Sequence, residues 1–394
     1  MRGLIPAHIM SRIEQETGLR MADMVDVFCG PSTGSILNSA LTLRHPDYKD
    51  RPKYRARHMV RFYEREGINI FPIDRFREFR GLIHDFNNRT MKLGQLNNIF
   101  RHGHYDPRNL GLALKALFGD AKLSDSLRSL VIPTYNIDGE SLSILSEAGE
   151  TDDDPAHTKN NVIDRGGHAL WLKNILFNRS LPSHKPPQEV ALYDAVMASA
   201  AAPTYFPCHH FQARETYHSR PREIAGIDGS IFDNPCITYL GALRQHLAPG
   251  QKLIMIGLGT GYTNRSVKKE DWNRFGSLGV VDPVNDLPLI NIFFHASESA
   301  LMETFAQEMG DDLYIFNKSL ISGRLPNWPN SQIDDGSPEN LARLKEFAEI
   351  IIEDNKAQFD KVCDLLVRNY EKKTENKGIL NTLKEKIPFL ADFD

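Results

Sequence analysis

Gly30-Pro31-Ser32-Thr33-Gly34 has the residue types of a turn that presents a nucleophile. It follows a short, mostly apolar run, Met24-Val25-Asp26-Val27-Phe28-Cys29, which reads as a buried strand. A helical pattern follows it through Ile36, Leu37, Ala40 and Leu41. A sharp strand-to-helix turn forces its central residue into a strained backbone conformation. Glycines two before and two after are expected, because a β-carbon there would collide across the turn. The turn also sets Ser32 Oγ at a helix N-terminus, where the dipole and free N–H groups favour developing negative charge. The backbone N–H of Thr33 is then a candidate oxyanion donor. A plain Gly-Ser turn capping a helix has the same five residues, and the motif by itself leaves both readings open.

A serine hydroxyl needs a base. Ser32, Asp228 and then His246 or His295 stand in the chain order of a Ser-Asp-His triad. An α/β-hydrolase elbow follows several strands, and Ser32 leaves room for hardly one, which argues against that triad. The 14 histidines read first as surface or packing residues. Cys208-His209-His210 lacks a second ligand pair at useful spacing, so no metal is expected there. Asp152-Asp153-Asp154 lacks the alternation and the glycine of a calcium loop. In Gly257-Leu258-Gly259-Thr260-Gly261 the third glycine of a dinucleotide fingerprint would fall at Tyr262, so no nucleotide cofactor is expected.

The elements that must position these residues follow from periodicity. Helices are predicted over 4–17, 55–66, 110–118 and 191–201, and from Ser337-Pro338-Glu339 through Tyr370. Residues 55–66 are also basic. Strands are predicted over 127–135, 222–227 and 252–258, with 208–222 a loop or irregular hairpin and 147–154 a solvated loop. That order predicts an α/β fold with a mainly parallel central sheet flanked by helices. One domain is expected over 1–370, with a C-terminal tail over 371–394.

Hydrophobic residues make up 41% of the 394 and charged residues 25%, the balance of an ordinary globular chain. The net charge of −4 supplies no global field to draw nucleic acid. No apolar run approaches the ~18 residues of a membrane span, and the N-terminus shows no secretory h-region. Four separated cysteines fit free thiols in a reducing compartment. Collagen, coiled coil, disulfide scaffold and integral membrane protein are excluded.

Several segments together resemble the patatin-like phospholipase family. The elbow, from Asp26 to Gly34, is close to the family's D-x-x-x-G-T-S-T-G. Asp228-Gly229-Ser230-Ile231-Phe232-Asp233-Asn234-Pro235 is similar to its D-G-G/A motif with a trailing N-P. Residues 198–207 are similar to its S-A-A-P-T-Y-F-P stretch, and 256–261 to its S-L-G-T-G strand end. Asp334-Asp335-Gly336-Ser337-Pro338-Glu339-Asn340-Leu341 matches the late motif of bacterial members. The resemblance spans about 2–365, with every motif in the family's order. It implies a Ser–Asp dyad, with Ser32 the nucleophile and Asp228 its base at the end of a neighbouring parallel strand. Gly229 would allow close backbone approach, and Asn234 would organise the loop. The implied reaction is hydrolysis of a phospholipid or other acyl-ester lipid through an acyl-enzyme, without a metal or cofactor. The implied setting is cytoplasmic or peripheral at membranes, with export by a route without a cleaved signal left open.

The chain departs from the family at its start. Met1-Arg2-Gly3 matches only the last x-R-G of the family's oxyanion loop, D-G-G-G-x-R-G. Arg2 and Gly3 are thus the remaining candidates for that loop. The strand and glycines before them read as truncated, which would leave two strand edges unpaired. An oxyanion donor is worth on the order of 10²–10³ in rate. The alternative function is therefore a catalytically impaired lipid-binding or regulatory relative. A soluble esterase or peptidase with a histidine triad is a third class. Phe71-Pro72, Phe76, Phe79 and Ile83 read as core, or as an apolar wall over an acyl pocket.

Overall fold

The computed structural model describes residues 1–70, 105–138, 167–181, 184–203, 205–262, 301–320, 328–330 and 334–386, together with Lys269, Glu270, Trp272, Asn273 and Ile292. The helices with defined bounds are α1 (Leu4–Thr17), α2 (Met21–Met24), α3 (Thr33–Thr42), α4 (Ala56–Ile70) and α5 (Pro107–Phe118). They continue as α6 (Leu192–Ser199), α7 (Pro235–Thr238), α8 (Pro338–Asp354) and α9 (Lys356–Lys386). The strands are β1 (Val27–Cys29), β2 (Ser129–Asn136), β3 (His168–Asn174), β4 (His209–Ala213), β5 (Arg222–Asp228), β6 (Met255–Leu258) and β7 (Leu313–Phe316). Among the described residues no helix is long and apolar enough to cross a membrane.

The helix signals hold where local chemistry sets them. Ile5, Ile9 and Ile13 are fully buried, as are Leu4 and Ala7, so α1 is apolar on more than one face. It packs between α4 and α8 accordingly. Gly18, at φ 72°, closes α1 by donating its N–H to the Glu14 carbonyl. Ser337 Oγ accepts the Asn340 N–H at 3.3 Å and Pro338 opens α8. The long C-terminal pattern breaks at Asn355. α9 then runs through residue 370 without interruption, and Lys373 Nζ, beyond that point, donates to the Met24 carbonyl at 3.1 Å.

A central sheet with flanking helices is present, and among the described residues its strand pairs are mostly antiparallel, not mainly parallel as expected. In the five-stranded sheet β1 pairs with β2 in parallel, while β2–β3, β2–β5 and β4–β5 are antiparallel. Residues 208–222, read as a loop or hairpin, supply β4, which folds straight back on β5. A connection this short permits only the antiparallel arrangement. β6 and β7 form a separate parallel pair. The other edges of β1 and β6 have no strand partner among the described residues.

β2 organises the site. Leu130 pairs with Phe28 on one side and Asn174 on the other, and Thr134 pairs with Asp228 and Leu170. β3 therefore occupies one whole edge of β2. β1 and β5 share the other edge end to end, their C-terminal ends pointing toward each other. Pro133, which has no N–H to offer a ladder, stands near the gap between them.

Glu14 ties the helical layer together. Its buried carboxylate accepts the N–H of Met21 and of Ala56, both at 3.0 Å, at the starts of α2 and α4. Glu14→Ala leaves both donors buried without a partner. Urea unfolding is expected to report a loss of roughly 1–3 kcal/mol. A midpoint equal to that of the parent would show that water replaces the carboxylate at no cost.

Candidate active site

Ser32 sits at φ 54° and ψ −124°. Among the described residues only Asn178 shares positive φ outside glycine. Such a conformation is costly for a residue with a β-carbon and persists only when its surroundings impose it. Those surroundings are specific. The Ser32 N–H donates to both the carbonyl and the Oγ of Ser199, each at 3.1 Å. The Ser32 carbonyl accepts Ser35 Oγ at 2.6 Å. One residue before the turn's glycine, the Cys29 carbonyl accepts Asn38 Nδ2 at 2.8 Å.

Gly30 is at φ 155°, and a β-carbon there would come within 3.3 Å of Asn38 Nδ2 and 3.4 Å of Gly34 Cα. The expectation for the second glycine is corrected. A β-carbon on Gly34 would stand in open space, with nothing within 4 Å. α3 begins at Thr33, directly after Ser32. The N–H groups of that first turn have no intrahelical acceptors and carry the positive end of the dipole.

Asp228 is the last residue of β5 and only 1% exposed. The Ser32 side chain lies near enough to favour its ionised form. The Ser230 N–H donates to Asp228 Oδ1 at 2.9 Å. Burial raises the Asp228 pKa from its ordinary value, and the Ser32 side chain with the N–H and side chain of Ser230 pulls against that shift. The two side chains meet because β1 and β5 approach head-on along β2. The expected neighbouring parallel strand is therefore replaced by an antiparallel one on the far side of the gap. The Cys29 thiol beside the elbow is pushed up by burial, so it does not compete as a thiolate.

Gly229 and Asn234 lie in the turn that follows Asp228. A β-carbon on Gly229 would lie 2.3 Å from the Pro133 carbonyl oxygen, so only glycine passes β2 this closely. Asn234 Oδ1 accepts the Ile237 N–H at 3.0 Å and caps α7.

The residue that sequence reasoning missed is Ser199. It lies in a quoted stretch but received no role. Its Oγ donates to the Pro133 carbonyl at 2.5 Å while it receives the Ser32 N–H. Two residues on, the Ala201 carbonyl accepts the Asp228 N–H at 3.0 Å. One short segment at the end of α6, Ser199 to Ala201, therefore clamps the backbone of both Ser32 and Asp228. A fully buried serine at the end of an apolar helix was the available signal.

The remaining candidates separate. A β-carbon on Gly3 would lie 2.7 Å from Thr33 Cβ and 2.4 Å from the Tyr63 hydroxyl, so Gly3 is beside the elbow. Arg2 Nη1 instead reaches the Gly261 carbonyl at 3.5 Å, beyond the end of β6. His246 is buried elsewhere. Burial, Lys173 and His184 hold its pKa down at about 4, and Asp228 is not among its neighbours. His209 pairs with Asp194 at 2.8 Å, whereas Cys208 Sγ lies 3.4 Å from His210 Nε2. Among the described residues no three His, Cys, Asp or Glu side chains are grouped to hold a metal. His295, Asp152-Asp153-Asp154 and the run from Phe71 to Ile83 lie outside the described residues.

The late motif is a tether. Asp335 accepts the Ser337 N–H at 3.0 Å and Asn330 Nδ2 at 3.1 Å. Asp334 accepts the Tyr105 hydroxyl at 2.7 Å, and the Tyr105 N–H donates to the Tyr205 carbonyl at 3.1 Å. The start of α8 is thus linked to the segment that follows Ser199.

Known proteins share this arrangement of sequence. Patatin-like protein 2 of Oryza sativa subsp. indica is 23% identical over 389 residues, covering 91% of this chain and 83% of the relative. Patatin-like protein 2 of Arabidopsis thaliana is 26% identical over 318 residues, covering 75% and 67%. Patatin-16 of Solanum tuberosum is 23% identical over 381 residues, covering 89% and 81%. All three are plant proteins. A family model for patatin-like phospholipases matches residues 1–240, a span that holds the elbow at Ser32, the clamp at Ser199 and the turn at Asp228, and the chain belongs to that family.

Proposed function

We propose that the chain is a serine lipid acyl hydrolase of the phospholipase A or lysophospholipase kind, acting through Ser32 and Asp228. The observation that carries this reading is the strained Ser32 at the head of α3, its side chain near the buried carboxylate of Asp228. Family membership supports a hydrolase of lipid esters in general.

The chemistry follows from the groups at the site. Asp228 takes the Ser32 hydroxyl proton as Oγ attacks the ester carbonyl. Charge collects on the carbonyl oxygen, where the Thr33 N–H and the α3 dipole stabilise it, with Gly3 packed alongside. The alcohol leaves with the proton held by Asp228, and an acyl-serine remains. Water then attacks the acyl carbon and gives its proton to Asp228. The fatty acid departs, and Ser32 Oγ recovers the proton. No step requires a metal or cofactor. The setting we propose is the surface of a membrane.

Fluorophosphonate labelling with intact-mass readout tests the reading. The full chain is expected to gain one adduct, and Ser32→Ala none. An adduct on Ser32→Ala, or no adduct on the folded parent, would reject Ser32 as the nucleophile.

A further inference from the structure

We infer that the groove between α4 and α5 is a docking site for an anionic lipid surface. The groove has a volume of about 1090 Å³. Its lining combines His58, Arg61 and Arg65 with Phe62, Ile68 and Leu112. Leu112 is 71% exposed and Ile68 is 40% exposed, which places large apolar side chains in water beside guanidinium groups. That combination fits a headgroup layer with hydrocarbon beneath it.

The charge on this face is net positive. Arg57, Arg61 and Arg65 recur every four residues along α4 and are all exposed. None of them forms an ion pair among the described residues. Glu64, on the same helix, is paired with Lys345 at 2.6 Å, and Glu66, which lines the groove, sets one negative charge against the three arginines. On the α5 side the cations are already neutralised. Arg108 pairs with Asp106, and Lys115 with Asp120. The positive field therefore belongs to α4. His58 registers it, since its pKa is lowered first by burial and then by Arg57, Arg61 and Arg55. The whole chain carries −4, so the patch is a local inversion of sign. Anionic lipid is the complementary occupant.

The other side of α4 faces the site. The Tyr63 hydroxyl donates to the Thr33 carbonyl at 3.5 Å. A bilayer held on the outer face of α4 therefore lies one helix away from the elbow. That consequence, delivery of substrate to Ser32, rests on the proposed hydrolase reading. The docking itself does not.

The test uses the full chain carrying Ser32→Ala, so that vesicles are not consumed. Co-sedimentation is measured with phosphatidylcholine vesicles and with phosphatidylcholine mixed with phosphatidylglycerol. Binding is expected only to the mixed vesicles, and to weaken as salt rises. Adding Arg57→Glu, Arg61→Glu and Arg65→Glu is expected to weaken it roughly tenfold or more. The milder set Arg57→Gln, Arg61→Gln and Arg65→Gln replaces the first if circular dichroism shows that it fails to fold. Leu112→Ser should weaken the binding that survives high salt. Unchanged binding by a folded triple variant, or equal binding to both vesicle types, overturns the inference. A parent that ignores both vesicle types overturns it too and leaves a soluble acidic partner as the occupant. Hydrolysis of a water-soluble butyrate ester by the parent with Ser32 intact is measured in parallel and should not change with the arginine set. Its absence would sink the hydrolase reading and leave the vesicle result standing.

Discussion

Asp228→Asn is expected to lower kcat by about 10²–10⁴-fold without weakening the fold. The activity loss follows from the chemistry, since an amide cannot take the Ser32 proton. The stability forecast follows from burial. The folded-state pKa of Asp228 is raised above its unfolded value by desolvation, against the opposing influence of Ser32 and Ser230. A group shifted in that direction contributes stability that is fully present below its unfolded pKa and is lost as pH rises through the folded one. Wherever Asp228 is ionised in the fold, its charge is therefore a cost. The amide removes the charge and keeps an oxygen for the Ser230 N–H. Thermal melting at pH 7 should give a Tm for Asp228→Asn equal to or above that of the parent.

The pH–rate profile supplies a second check. A base must be ionised, so kcat/KM should rise with pH through the raised pKa of Asp228 and then level. Asp233 is a half-buried carboxyl five residues on, pushed up to about 7 by burial while it accepts Thr238 Oγ1 at 2.6 Å and Trp171 Nε1 at 3.4 Å. Asp233→Asn should leave the acidic limb in place. If it erases the limb, or if Asp228→Asn keeps activity within a few-fold, Asp228 is not the base.

Ser199→Ala should slow acylation of Ser32 by up to about 10²-fold with little change in KM. Ser199 does not touch the reacting atoms. Its hydroxyl holds the Pro133 carbonyl at 2.5 Å and the Ser32 N–H at 3.1 Å, and so fixes the elbow against β2. Alanine keeps the carbonyl contact to Ser32 but leaves the Pro133 oxygen without this donor. The stability cost should be roughly 1–3 kcal/mol. The discriminating measurement is the rate of fluorophosphonate labelling at a temperature where the variant is fully folded. A purely structural serine would lower the melting point and leave that rate untouched. A positioning serine slows it.

Much of the local structure was legible in the chain. The elbow is written in Gly30, Ser32 and their flanks, because a strand, a tight turn and a helix start are set by near neighbours. The caps at Gly18, Ser337 and Asn234 are equally local. β3 escaped because His168–Asn174 carries polar and apolar residues without strict alternation. β4 was hidden among the His and Arg residues of 208–222, a composition that reads as loop. Both are antiparallel strands, and missing them is what made the sheet look parallel. Gly34 was misread for a different reason. The motif says that glycine stands there, and only coordinates say which way its missing β-carbon would point.

The sequence by itself determined the strained serine at a helix start, the tight Asp-Gly turn, the helices that surround them and the family to which the chain belongs. All of these depend on residues close together in the chain, where sterics and single hydrogen bonds decide the outcome. The tertiary structure alone decided that Ser32 and Asp228 meet. Their meeting depends on β1 and β5 converging on one edge of β2, near a proline that adds no donor, and on Ser199 and Ala201 holding both backbones. Strand order and direction are set by the packing of distant segments, and no periodicity within one segment carries that information.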